Sequence, residues 1–414
     1  MVGGLQEHAI AGVAITNQFF FIFTVLLFGI GGTAGIFMPQ FKGIGNEQKM
    51  TEIFRISLLF SFAVGLCFFL LMQFTPDLIL RIFAGDPQTL VQAHLYLRYI
   101  RYSFLIFPIS MAIMSAFRFS GYVRLPMYIA IITVAVSVFF NYGLIHGNLG
   151  MPAMGVEGAG LATLIARVVE MTVAIALTIY LKSPIKVSIR RIFDFEKKLL
   201  THFIKRGYGL VLNEFFWVSG MQFLTVLYTQ RISVNIAAMS ISSAIANLIF
   251  IGMGGMSVAM SIILGEHLGQ GHFEQAKADA KKLLKVGAFV GLTFGTIVFF
   301  LSFALLGFYD VAPETLSTAR LLIFINVAFS WLYYLNAGFY FVMRAGGDTR
   351  SVLLIDSGFM WVITVPVAFL IGRLDFVLPL HFFLTQLVEL PKFLVAIRMY
   401  RKNTWLNNLT LVET

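Results

Sequence analysis

Apolar runs long enough to cross a bilayer recur from one end of this chain to the other. A helix needs about 20 apolar residues to span the hydrocarbon core. Eleven such stretches are expected, at roughly 10–38, 55–74, 94–117, 125–146, 156–181, 203–230, 236–264, 283–308, 318–343, 351–371 and 377–400. Of the 414 residues 58% are hydrophobic, 44 are Phe and only 12% are charged, and a soluble domain of this length has too little interior for that load. Barrel strands would be about ten residues long with alternating polarity, which these runs are not. The fold class is therefore an all-α polytopic membrane protein. The first run begins near residue 9 and is too long for the core of a cleaved leader. The single cysteine, Cys67, lies inside an apolar run and reads as a packing residue.

The basic residues alternate between loops. Lys42, Lys49 and Arg55 follow the first run, and Arg118 and Arg124 the third. Lys182, Lys186, Arg190, Arg191, Lys197, Lys198, Lys205 and Arg206 surround the central linker. Lys277, Lys281, Lys282 and Lys285 follow the seventh run, Arg344 and Arg350 the ninth, and Arg398, Arg401 and Lys402 the last. Loops 147–155 and 309–317 have neither Lys nor Arg, and 75–93 has only Arg81. This positive-inside pattern places the basic loops and the C-terminus in the cytoplasm and Met1 outside. The net charge of +10 then reports orientation and contact with anionic lipid, not nucleic-acid binding. In linker 182–206, Ile185, Ile189, Ile192 and Phe193 share one side of a short helical pattern, as expected of a segment lying on the inner surface.

The chain repeats itself. Arg118, Gly121 and Arg124 in FRFSGYVR fall on Arg344, Gly347 and Arg350 in MRAGGDTR, each 226 positions later. Gly43 and Gly45 fall on Gly269 and Gly271 at the same offset. The matched loops are cytoplasmic in both copies, so the repeats share one topology. That predicts two parallel bundles related by a pseudo-twofold axis along the membrane normal, with a cavity between them. The domains expected are bundle 1–181, linker 182–206, bundle 207–400 and tail 401–414. Two bundles of this kind suit alternating access. No selectivity-filter motif or charged pore ring favours a channel. His8, His94, His146, His202, His267, His272 and His381 are scattered rather than paired for haem, and there is no Walker motif for ATP.

Glu214 is the one formal charge in GYGLVLNEFFWVSGMQFLTVLYTQ, residues 207–230. A carboxylate at membrane depth is rarely left facing lipid. It reads as a proton or cation site on an internal cavity, or as a carboxylate near a helix end, paired or reached by water. Asn213 beside it points elsewhere on the helix and suits a helix–helix hydrogen bond. Gln222, two turns on, shares the cavity face or ties helices together. Asp356 and Glu389 are further carboxylates in apolar runs. Either faces the cavity or is structural, and Asp356 also suits a cap or a pair with Arg350. Met221, Met239, Met253, Met256 and Met260 suit a conformable pocket or ordinary core. Arg167 and Glu170, three apart, suit a pair inside the first bundle.

Three stretches carry a resemblance that covers nearly the whole chain. They are GVAITNQFFFIFTVLLFGIGGTAGIFMPQFKGIGNEQK with a weaker copy at 236–277, AFRFSGYVRLPM echoed by FVMRAGGDTR, and VFFNYGLIHG followed by GVEGAGLAT. In order and content these resemble the multidrug and toxic compound extrusion family. The resemblance implies a bacterial inner-membrane antiporter that expels amphipathic, often cationic organic compounds against entering H⁺ or Na⁺. It implies no cofactor and no enzymatic activity. The partners expected are small organic substrates and membrane lipids, with no nucleic acid, and the chain is expected to be a monomer. The wider superfamily keeps a flippase for an amphiphilic or lipid-linked precursor as the alternative, and a receptor or scaffold is a third reading. Glu214 matches the family's membrane glutamate. Asn141 matches a polar position of the N-terminal cation site, with Ser137 one turn earlier. Without a carboxylate there, H⁺ coupling at Glu214 is favoured over Na⁺. Where some members carry an acid in the run 318–343, this chain has Tyr333, Tyr334 and Asn336. Family members have twelve helices. The offset of 226 places the counterpart of Glu214 at 214 − 226 = −12, so the first helix of the pattern is expected to be the absent one.

Overall fold

No water reaches the backbone inside a bilayer, so a spanning chain must close its hydrogen bonds within helices. A computed structural model describes residues 7–83, 86–181, 191–229, 233–309, 311–374 and 376–411, and every element among them is helical. The helices are α1 (Glu7–Gly43), α2 (Glu47–Phe74), α3 (Pro76–Phe83), α4 (Pro87–Ile100), α5 (Ser103–Phe119), α6 (Arg124–His146) and α7 (Gly155–Tyr180). They continue with α8 (Lys197–Thr229), α9 (Ser233–Gly269), α10 (Phe273–Leu306), α11 (Pro313–Ala345), α12 (Thr349–Gly372) and α13 (Leu378–Arg401). Ten of these are long and apolar enough to span, and α4 with α5 makes an eleventh, bent by 52°.

The third expected run, 94–117, is therefore two helices. Asp86 caps α4 by accepting from the Thr89 N–H at 2.9 Å, and Pro87 takes a first-turn position where no donor is needed. The bend lies at Arg101 and Tyr102, where Phe104 and Leu105 donate three residues back rather than four. Pro108 has no N–H for the Phe104 carbonyl. Gly65 of α2 packs against that carbonyl so closely that a Cβ would lie 2.2 Å from it. The stretch read as loop 75–93 holds α3 and the start of α4.

Contacts divide the chain between Gly207 and Tyr208, within α8. The first unit is built on an aromatic cluster in which Phe23 meets Phe20, Phe68, Phe104 and Phe107. The first turns of α8 belong to it, with Phe203 stacked on Phe37 and Phe60. Arg167 and Glu170 are paired, Ser110 Oγ donates to Glu170 at 3.0 Å, and Arg167 lies 4.3 Å over the Phe107 ring. Of the amphipathic linker pattern, Ile185 and Ile189 lie outside the described residues. Ile192 is half-buried, Phe193 is exposed, and the following Asp194 and Glu196 are held by Arg55 and Lys49 of α2.

The second unit packs α8–α13. Gly287, Gly291 and Gly295 recur every fourth residue on α10 and let α11 approach closely. A Cβ on Gly291 would lie 2.7 Å from the Tyr334 ring, and one on Gly295 would lie 2.3 Å from Ser330 Oγ.

The repeat is visible in local conformation. α1 and α9 end 226 residues apart, at Gly43 and Gly269, and α2 and α10 begin 226 residues apart, at Glu47 and Phe273. Gly45 and Gly271 both turn through positive φ, +69° and +76°, as do Gly121 and Gly347, +97° and +74°. Both members of each pair close the same helix end. Asn46 N–H donates to Phe41 and His272 N–H to His267, each at 2.9 Å. Tyr122 N–H donates to Phe117 and Asp348 N–H to Met343, at 2.9 and 3.0 Å.

Candidate functional site

The second unit encloses a cavity of about 450 Å³. Its aromatic and sulfur-bearing wall includes Trp217, Met221, Met239, Phe250, Met253 and Met360. Its polar wall draws on five helices, α8, α9, α11, α12 and α13, and its charged groups come from four of them, all but α9.

On α8, consecutive residues point about 100° apart, so Asn213 and Glu214 serve different neighbours. Asn213 is fully buried. Its Nδ2 donates to Asp356 Oδ2 at 3.1 Å, its Oδ1 accepts from the Ser357 N–H at 3.3 Å, and its carbonyl accepts from Ser357 Oγ at 2.7 Å. The α12 backbone it braces is unusual. Leu354–Gly358 and Met360–Thr364 are wound with the wider i→i+5 pattern, just ahead of Pro366. Pro366 can give no N–H to Val362 and crowds its carbonyl, which forces the turn before it to open. Asp356 sits on that widened segment.

Glu214 faces the cavity. Tyr340 of α11 donates to its Oε1 at 3.3 Å, and Arg344, one turn on, lies 3.7 Å from the same oxygen. Arg344 also donates to the Tyr340 hydroxyl at 3.3 Å, which closes a three-member network. The second cluster joins α11, α12 and α13. Lys392 Nζ lies 3.4 Å from Asp356 Oδ1 and 3.8 Å from Glu389 Oε1. Asn336 Nδ2 donates to Glu389 Oε2 at 2.7 Å and to the Glu389 carbonyl at 3.1 Å. With every group ionised, Glu214, Asp356 and Glu389 against Arg344 and Lys392 give −3 + 2 = −1. Charges in a poorly solvated cavity are strongly coupled, so binding or loss of one cation there moves the others.

Of the residues expected at the site, the structure brings Glu214, Asp356, Tyr333, Asn336 and Glu389 to this one cavity. Tyr334, Met256 and Gln222 do not line it. Tyr334 is fully buried against the α10 glycines, and its hydroxyl donates to the Ile249 carbonyl at 2.6 Å. Consecutive helical residues point about 100° apart, and while Tyr333 lines the cavity, Tyr334 turns toward α10 as a packing residue. Met256 packs in the same core, against Gly287. Gln222 is exposed, outside the cavity lining. Asp356 pairs with Lys392 instead of Arg350, and Asp348 caps α12 by accepting from the Ser351 N–H at 3.2 Å. Asn141 and Ser137 lie on α6 in the first unit, where Asn141 Nδ2 donates to the Ser137 carbonyl at 2.7 Å and to its Oγ at 3.1 Å.

Arg344, Tyr340 and Lys392 complete the charged networks of the cavity without standing among the residues expected there, Arg344 because it reads as a loop charge. Lys392 carried a readable signal: it follows Glu389 by three residues inside an apolar run, the spacing of a helical ion pair.

The MatE family model matches residues 1–143 and 211–370. The probable multidrug resistance protein YoeA of Bacillus subtilis is 25% identical over 381 residues, which cover 89% of this chain and 80% of that protein. The probable multidrug resistance protein NorM of Thermotoga maritima is 23% identical over 391 residues, covering 90% and 80%. A solved outward-facing conformation of a multidrug resistance MATE family transporter of the MOP superfamily has the same fold. It aligns with a TM-score of 0.85 at 17% identity, over 97% of this chain and 90% of that one.

Proposed function

The chain belongs to the MatE family, and from that premise we propose that it is a cation-coupled antiporter that exports amphipathic, often cationic organic compounds. Entry of H⁺ or Na⁺ drives it, and access alternates between the two sides of a bacterial cytoplasmic membrane. It works as a monomer surrounded by lipid, with the C-terminus in the cytoplasm. Its two bundles, 1–181 and 207–400, are related by a pseudo-twofold axis along the membrane normal.

The observation that carries the coupling role is the cavity's charge balance, three carboxylates against two fixed cations. Glu214 is the coupling residue. When it is ionised, Arg344 and Tyr340 are drawn to it. When it takes a proton or a metal cation, that attraction falls and Arg344 is free to rearrange. A substrate cation competes for the same excess negative charge, so ion and substrate favour different states of the protein. Trp217, Phe250 and the cavity methionines supply soft apolar surface that adapts to different molecules. The excess of carboxylates argues against the flippase reading, which needs a cavity that welcomes phosphate.

The test is efflux from everted vesicles with a proton gradient or a sodium gradient imposed separately. Wild-type protein exports an amphipathic cation under one of them. Glu214→Gln inserts and folds but loses gradient-driven efflux. Full efflux by that variant under the effective gradient removes Glu214 from the coupling step.

A further inference from the structure

Asn336 is only 3% exposed, and its side chain is half used. Nδ2 donates to the Glu389 carboxylate and to the Glu389 carbonyl, both acceptors, which fixes the nitrogen on that side of the amide. Oδ1 therefore points away from them, and among the described residues it has no hydrogen-bond partner. A buried acceptor left in that state is costly to the protein and calls for an explanation. The neighbouring carboxylate has spare capacity as well. Glu389 Oε2 is taken by Asn336, but the nearest cation to Oε1 is Lys392 at 3.8 Å, and Lys392 stands closer to Asp356 at 3.4 Å. One turn earlier on α11, the Tyr333 hydroxyl is also buried without a partner, and Tyr333 lines the same cavity.

We infer that Asn336 Oδ1 and Glu389, paired across α11 and α13, form a subsite for the N–H group of an organic ammonium ion. The transporter then selects protonated amines over quaternary ammonium ions of the same size. The chemistry follows from what the two oxygens lack. Both accept and neither donates, so the ligand must bring hydrogen as well as positive charge. A protonated tertiary amine directs one N–H into the pair, while Tyr333 offers its ring to the cation's alkyl groups. A quaternary ammonium ion has the charge but no hydrogen to give, and leaves Oδ1 without a donor. Two spare oxygens are also too few to replace the hydration shell of a metal ion, which takes about six ligands. This subsite rests on the exporter reading and narrows it, since it names the substrate nitrogen the cavity prefers.

The probes are a matched pair: N,N-dimethyl-1-naphthylmethylamine, protonated at neutral pH, and its N-methyl quaternary salt. Binding of each to the purified full chain in lipid nanodiscs is measured by calorimetry, and gradient-driven transport is measured separately in proteoliposomes. The wild type is expected to bind the protonated amine about tenfold more tightly, the effect of one charge-assisted hydrogen bond. Asn336→Leu and Glu389→Gln are each expected to bring the affinity ratio to about one. Equal affinities in the wild type overturn the subsite without need of any variant, and so does a ratio that survives Asn336→Leu. Absence of binding by either probe overturns it too. A tenfold ratio with no transport of either probe leaves the subsite standing and removes the exporter reading instead.

Discussion

At the residue scale, the cavity shows how little a lone charge in an apolar run reveals about its company. Glu214 stood out because nothing charged lies near it in sequence, yet in space it has Arg344 and Tyr340. Lys392 holds two carboxylates from two helices, and its side chain is mostly buried. Removing the shared cation leaves both acids uncompensated. Lys392→Met is therefore expected to destabilise the protein by about 3 kcal/mol, seen as a lower melting temperature in detergent. An unchanged melting point would mean that the two acids are solvated in the folded protein. Tyr334→Phe tests the opposite assignment. It deletes the hydroxyl bonded to the Ile249 carbonyl and should cost about 1 kcal/mol, with efflux at the wild-type rate. Lost efflux at unchanged stability would return Tyr334 to the transport path.

At the scale of elements, loops and helix ends carry the repeat more faithfully than the apolar faces do. Gly45 and Gly271 occupy the left-handed region with open space where a Cβ would stand. Gly271→Ala is accordingly expected to cost only about 1 kcal/mol, the conformational penalty alone. Gly346 is different. Its backbone is ordinary, but the C-terminal segment runs over it, and a Cβ would lie 1.6 Å from the Trp405 carbonyl oxygen. Trp405 is fully buried and stacks on Tyr400, and Asn407 Nδ2 donates to the Gly346 carbonyl at 3.1 Å. A backbone neighbour cannot swing aside, so Gly346→Ala should cost about 3 kcal/mol or more. Thermal unfolding of the two variants side by side checks the contrast, and equal losses would refute it. The tail was read from sequence only as a cytoplasmic end. Its docking was illegible because Gly346 and Trp405 are far apart in the chain and neither belongs to a motif.

At the scale of the whole molecule, orientation is the property most open to direct test. With Cys67 replaced, single cysteines placed in 43–46 and 269–272 should react with an impermeant maleimide only in inside-out vesicles. Cysteines in 147–154 should react from the outside of intact cells. Labelling of 269–272 from outside would invert the arrangement. The sequence by itself determined the helical membrane class, the eleven apolar spans and the offset of 226 residues. Those follow from local quantities: run length, loop charge and the few residues that tolerate a left-handed turn. It also marked Glu214, because a carboxylate in an apolar run is costly wherever the run ends up. Tertiary structure alone decided which polar groups meet. Whether Tyr333 or Tyr334 faces the cavity depends on how α11 is rotated against the glycines of α10. Whether Asp356 finds Arg350 or Lys392 depends on how α12 packs against α13. Both are set by packing between helices, and the order of residues along one helix does not contain that information.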